Sequence, residues 1–334
     1  MLSIVSLALL ASPFVARDQL WKRQHQAVDE LVTITETHQN KAHWQKLERV
    51  PAVATHEIVL SVKQSNLDTL DSELMARSTP GNAKYGKHLS FSDVDGYIAT
   101  REPASRLLAW AKANMESHEI KKMTPRGEFI RISAPIGELE KALHAQFFYY
   151  KSTATGKIAV RTDSYKLPKS VKADLQSVFH TTDFPALMKP TPTGTKVGPV
   201  AGRKLSEANA ITPSVLNSFY RITSNAGSAD VSQGVFETSG QYYSPESLEL
   251  FQSNFGLPTS YSVSTDVGGH SSNTVCASDP NTCTEANLDV QYMMAVSQAT
   301  PMTYYYESNE EDPFVAFVEA IAAETAPPDV NSIS

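Results

Sequence analysis

The apolar pattern tightens at His56, where HEIVLSVKQ alternates Ile58, Leu60 and Val62 with polar neighbours, the period-two signature of a half-buried strand. From Leu67 to Ala76 the period changes, and Leu67, Leu70, Leu74 and Met75 recur at helical spacing. Ser92 is placed to cap a short helix through Ile98, and Ala104 to Met115 reads as another. EFIRISAP alternates again, with Phe129, Ile130 and Ile132 as its apolar positions, before a helix expected from Ile136 to Gln146. FFYYKS and KIAVRTDSY read as a hairpin around Thr155-Gly156. Residues 17–50, of mixed charge with Trp21 and Trp44, read as helical in part or loosely ordered. Together these elements predict an α+β unit ending near Pro185.

The next stretch, ALMKPTPTGTKVGPVAGRK, is rich in proline and glycine with hardly an apolar anchor. It predicts a cleavable linker over residues 186–209, with the dibasic Arg203-Lys204 as the activation cleavage region. Beyond it QGVFET is a short apolar strand. Ser244 and Pro245 open a helix that Gly256 and Pro258 close. YSVST is a second strand, Glu285 to Gln298 a helix, PMTYYYE a third strand, Pro313 to Ala323 a helix, and DVNSIS the start of a fourth strand. Strands alternating with helices of this length predict a parallel sheet covered on both faces. Residues 210–334 are therefore expected to be the N-terminal part of an α/β domain, incomplete because Ser334 falls within the fourth strand.

Charge sharpens the division. Residues 1–209 hold 28 of the 29 Lys and Arg against 21 of the 36 acids, whereas residues 210–334 hold Arg221 alone against 15 acids. A basic unit followed by an acidic one predicts two bodies that attract each other through Lys/Arg–carboxylate pairs, and it makes nucleic acid a poor partner for the acidic half. The longest apolar run, Leu2 to Ala16, is shorter than the ~18 residues of a membrane span and sits at the N-terminus, so residues 1–16 read as a secretory signal peptide. The two cysteines, Cys276 and Cys283, could close a small loop in an oxidising compartment; zinc needs four ligands, and no neighbouring His or Cys completes the set.

Candidate chemistry lies on the helix that begins at Glu285. At about 100° per residue, Asp289 falls about 40° round from Glu285, on a face shared with Tyr292 and Val296 and opposite Asn287, Gln291 and Gln298. A solvated acid pair would sit with the polar stripe. In a partly buried site, one carboxyl of such a pair has its pKa raised by the other and by desolvation, as an acid–base group needs.

EANLDVQYMMAVSQATPMTYYYES resembles the sedolisins, the serine-carboxyl peptidases, and above all their tripeptidyl-peptidase branch, in which a Glu and an Asp spaced E-x-x-x-D are followed by V-Q. The P-x-x-x-x-Y-G-K-H-L run from Pro80 to Leu89 resembles that family's activation pro-domain, and AITPSVLNSFYRI resembles the start of its mature enzyme. The resemblance implies a pro-domain over 17–185 and a subtilisin-like α/β fold over 210–334. It implies Glu285 as general base and Asp289 as the acid that orients it, a pair that works at low pH where His would be protonated. It also implies a calcium site whose ligands lie beyond this chain, peptide or protein substrates, a pro-domain bound to the catalytic part in cis, and a secreted or lysosome- or vacuole-like location. No Gly-Thr-Ser nucleophile motif occurs, and Ser297, Ser308 and Ser332 read as structural. Two expectations follow: a zymogen, or part of one, of an acid tripeptidyl-peptidase, or a non-catalytic homologue whose pro-domain binds and inhibits related peptidases.

Overall fold

The computed structural model describes residues 29–35, 39–185, 211–308 and 311–334. The expected signal segment, the linker 186–209 and Arg203-Lys204 lie outside the described residues.

The N-terminal unit runs β1 (Leu31–Ile34), β2 (Trp44–Arg49), β3 (Thr55–Val62), α1 (Leu67–Ser78), α2 (Phe91–Ile98) and α3 (Arg101–Asn114). It continues through β4 (Glu119–Met123), β5 (Phe129–Pro135), α4 (Ile136–Ala142), β6 (Phe148–Ser152), β7 (Ile158–Arg161), β8 (Tyr165–Pro168), α5 (Lys169–Asp174) and β9 (Leu175–Phe179). An antiparallel sheet of order β4-β5-β3-β9 is its centre, beside β2-β6-β7 and the pair β1-β8. Alternation decides the faces. Ile58, Leu60, Ile130 and Ile132 turn inward and join Leu107 and Ala111 of α3 and Leu139 of α4 in one core. Val59, Arg131 and Lys122 stand in one row across the opposite face, since Val59 is in register with Arg131 and Arg131 with Lys122.

Several expected boundaries move. Of the residues described between 29 and 50, only Gln39–His43 is helical, a 3-10 turn; β1 pairs with β8 and β2 with β6, long-range partners that local pattern does not announce. The cap of α2 is Ser90 rather than Ser92, because Ser90 and Asp93 form a reciprocal capping box. α4 stops at Ala142, two residues before His144 takes a positive φ of 45°. The hairpin closes as expected around Gly156, but Tyr165–Pro168 leaves it to pair with β1. α1 forms with no buried residue, and Leu67, Leu74 and Met75 are exposed.

The C-terminal unit runs α6 (Pro213–Tyr220), β10 (Gln233–Glu237), α7 (Pro245–Asn254), β11 (Thr265–Val267), α8 (Asn273–Ser278), α9 (Thr284–Val296), β12 (Met302–Tyr306), α10 (Pro313–Ala323) and β13 (Val330–Ile333). Its strands form a parallel sheet of order β11-β12-β10-β13. Val235 and Tyr304 face α7 and α9, packing with Leu248, Ala286, Val290 and Met294, while Phe236 and Tyr305 face α10 and pack with Phe317. Both faces are covered, as the alternation of strands and helices predicts. The second strand is shorter and later than YSVST, because only Thr265–Val267 keeps the ladder with β12. Ser244 caps α7 by accepting from the Ser247 N–H, with Pro245 in the first turn. Cys276 and Cys283 form a disulfide, which ties α8 to the turn leading into α9.

The two units meet where the outer face of the β4-β5-β3-β9 sheet lies against α10. Asp312, which precedes α10, and Ala316 and Glu319 on it recur at spacings of four and three and are all buried. The Arg131 guanidinium donates to both Glu319 oxygens (2.9 Å each), to Asp312 Oδ2 (2.7 Å) and to Glu57 Oε1 (2.9 Å). Lys122 lies 3.2 Å from Glu319, and the buried Arg161 donates to Glu311 at 3.0 Å. The expected attraction between basic and acidic halves is thus present, concentrated in a few buried pairs.

Candidate active site

Glu285 is in the first turn of α9 and Asp289 one turn later. Ala286, Val290 and Met294 form the stripe that α9 buries against the sheet, and the two acids occupy one shoulder of that stripe, half-buried. Asn287 occupies the other shoulder, where its side-chain oxygen accepts from the Ser244 N–H at 2.8 Å. The unusual face read from the sequence therefore has a physical cause: Asn287 is engaged by α7's cap, and the acids are turned toward the C-terminal ends of the strands. The Ser334 hydroxyl donates to Asp289 Oδ2.

A third carboxyl completes the cluster. Glu237 ends β10 and shares a face with Val235, so the strand's alternation aims it at α9. It is 2 % exposed, and its Oε1 has no hydrogen-bond partner among the described residues. Burial, and then the charges of Asp289 and Glu285, push its pKa up to about 8. At acid and neutral pH Glu237 is thus a protonated carboxylic acid beside two other carboxyls, able to donate or exchange a proton. Sequence reasoning passed over it. The available signal was a lone acid at the end of an otherwise apolar strand, QGVFE, just before a Gly-containing turn.

The rim is aromatic. Tyr306 is in register with Glu237, and its ring stacks on His270, which stacks in turn on Tyr242 at 4.3 Å between centroids. The Tyr306 oxygen accepts from the Gly240 N–H at 2.9 Å. Tyr304 turns inward and donates to the Gln241 carbonyl, whereas Tyr305 points to the other face and donates to Glu324. Alternation accounts for the run of three tyrosines. Among the described residues, no group of three His, Cys, Asp or Glu side chains is arranged to hold a metal ion, so none of them fits the implied calcium.

The N-terminal unit carries the clearest likeness. Residues 42–184 match the family model described as the activation domain of pro-kumamolisin. Those residues form a sedolisin-type activation domain, and the proteins that match the longer chain are tripeptidyl-peptidases. The chain resembles tripeptidyl-peptidase SED2 of Arthroderma otae, at 26% identity over 91% of this chain and 51% of that protein. It matches tripeptidyl-peptidase sed4 of Aspergillus fumigatus at 28% identity, over 81% of this chain and 45% of that one. Tripeptidyl-peptidase 1 of Rattus norvegicus is 26% identical over 87% of this chain and 52% of its own. The chain spans about half the length of these curated relatives. No helix among the described residues is long and apolar enough to cross a membrane.

Proposed function

We propose that this chain is a sedolisin, the pro-domain and acid-bearing first part of a secreted, acid-acting tripeptidyl-peptidase zymogen. The observation that carries the reading is the cluster of Glu285, Asp289 and Glu237 at the C-terminal ends of a parallel sheet, where α/β folds place their sites. In the proposed reaction Glu285 takes the proton from a serine hydroxyl as its oxygen attacks the scissile carbonyl, and returns it to the leaving amine. Asp289 orients Glu285, and the protonated Glu237 keeps the neighbouring negative charge low. The serine lies outside residues 1–334, since no Gly-Thr-Ser occurs in them.

The test is a fluorogenic tripeptidyl amide offered across pH 3 to 7 to the 334-residue chain and to any longer form encoded by its gene. Support is turnover by the longer form that is lost in Glu285→Gln and falls steeply in Asp289→Asn, with none from residues 1–334. Full turnover by Glu285→Gln overturns the role of the base. If the longer form does not exist and the 334-residue chain slows a tripeptidyl-peptidase in trans, the inhibitory alternative holds instead.

A further inference from the structure

His180 follows β9, in a left-handed conformation with φ of 64°, and reaches the junction between the units. One ring nitrogen, Nδ1, lies 3.1 Å from the Glu57 carbonyl oxygen, and the other, Nε2, lies 3.2 Å from Asp312 Oδ2 and 4.0 Å from Glu311 Oε2. Both facing groups only accept. A neutral imidazole carries one N–H and would turn a lone pair toward one of these oxygens, whereas an imidazolium donates to the Glu57 carbonyl and sets its charge against Asp312 as an ion pair, without an aligned hydrogen bond from Nε2. We propose that a charged His180 clasps the activation unit to the first residue before α10, so that the contact between the units is tightest in a window of mildly acidic pH. The inference concerns the contact alone and stands apart from the peptidase reading.

The surroundings are consistent with one charged and one neutral imidazole. His180 meets Asp312 and Glu311 from the C-terminal unit, and Arg161, His56 and Glu57 from its own; Arg131 holds the far side of Asp312, and Asp183 lies 4.0 Å from Arg161. Burial lowers the basicity of His180, but Asp312 outweighs it and the net shift is upward. His56 donates its Nε2 hydrogen to the His180 carbonyl at 2.8 Å, and burial pushes its pKa down to about 4, so it is the neutral member. Asp312, though buried, is held below the ordinary carboxylate range by His180 and then by Arg131. A cleft of about 330 Å³ lined by His56, Glu57, His180 and Glu311 lets protons reach the ring.

The signs define the window. A raised His180 contributes docking stability that is fully present below the free value of about 6.5 and is lost as pH rises through its raised value. A depressed Asp312 contributes stability present above about 4 and lost as pH falls through its lowered value. Asp312 makes no cap hydrogen bond with its side chain, so Asp312→Asn removes the charge without uncapping α10.

The experiment follows the His180 Cε1 resonance of the full chain by NMR from pH 4 to 9, assigned with His180→Asn, a residue that tolerates the left-handed backbone. The expected midpoint lies above about 6.5 and moves down in Asp312→Asn. Amide protection at Ala316 and Phe317, corrected for intrinsic exchange, is expected to fall between pH 6 and pH 9 in the native chain. In His180→Asn it should be low at both. A midpoint at or below about 6.5, or one unmoved by Asp312→Asn, overturns the clasp; this arm needs only the native chain and Asp312→Asn if the His180 variant does not fold.

Discussion

Replacing Arg131 with Met is the sharpest test of what joins the two units. The guanidinium is buried and satisfies two carboxylates of α10, Glu319 at 1 % exposure and Asp312, together with Glu57 of its own sheet. Removing one partner from a buried ion cluster leaves uncompensated charge and costs about 3–5 kcal/mol, whereas a surface pair costs about 0–1 kcal/mol. Lys122 at 3.2 Å from Glu319 and His180 at 3.2 Å from Asp312 remain as partial compensation, which places the expected loss near the lower bound of about 3 kcal/mol. That is roughly a hundredfold in the docking equilibrium. Trp44 and Trp110 report on the N-terminal unit, so urea unfolding followed by tryptophan fluorescence and by far-ultraviolet circular dichroism separates the units. The native chain is expected to show coincident transitions, and Arg131→Met transitions that part. Adding Glu319→Leu should restore most of the loss, because an apolar pair in place of a buried ion pair is often neutral or stabilising. A loss below about 1 kcal/mol with transitions still coincident would refute the argument that these buried ions hold the junction.

Glu237→Gln should flatten the pH dependence of the C-terminal unit: a carboxyl raised to about 8 contributes stability present below about 4.3 and lost as pH rises toward 8, which thermal unfolding at pH 5 and 8 will read. Reducing the Cys276–Cys283 bond, which closes a short loop with a sequence separation of 7, should cost about 2–3 kcal/mol, seen as a lower melting temperature of the C-terminal unit with dithiothreitol. As pH falls through the lowered value of Asp312, added protease should cut between residues 186 and 210 faster, and Arg131→Met should show that fast rate already at pH 6. A cutting rate that ignores both pH and the variant would contradict the junction described above.

Much of this architecture is written locally. The parallel sheet, its helices and the α7 cap at Ser244 follow from periodicity and from Ser-Pro and Gly-x-Pro punctuation, and the helix Pro313–Ala323 has the boundaries expected of it. β1, β2 and β9 were not legible because their short segments become strands only by pairing with residues far along the chain, and β4, exposed at every position, carries no buried alternation to mark it. α1 shows the converse: a helical apolar pattern formed its helix without burying it, since periodicity fixes a face and not the partner for it. In the candidate site Glu285 and Asp289 were visible because both lie on one helix, whereas Glu237 reaches them from a strand 48 positions earlier, through the fold. The junction was legible only as a charge imbalance. Its actual members are single charges set in apolar surroundings, Arg131 in FIRISAP and Glu319 in PFVAFVEAIAA, and that context was the overlooked signal.

Arg131 and Glu319 are 188 positions apart, yet they are joined by one continuous chain. While that chain is whole, the activation unit meets α10 as an intramolecular partner, and dilution of the protein changes nothing. A single cut between residues 186 and 210 leaves every contact of the clasp in place and makes its occupancy depend on how much protein is present. The same ion pairs that are saturated before the cut must afterwards compete with dilution. Release then becomes a question of concentration as much as of acidity.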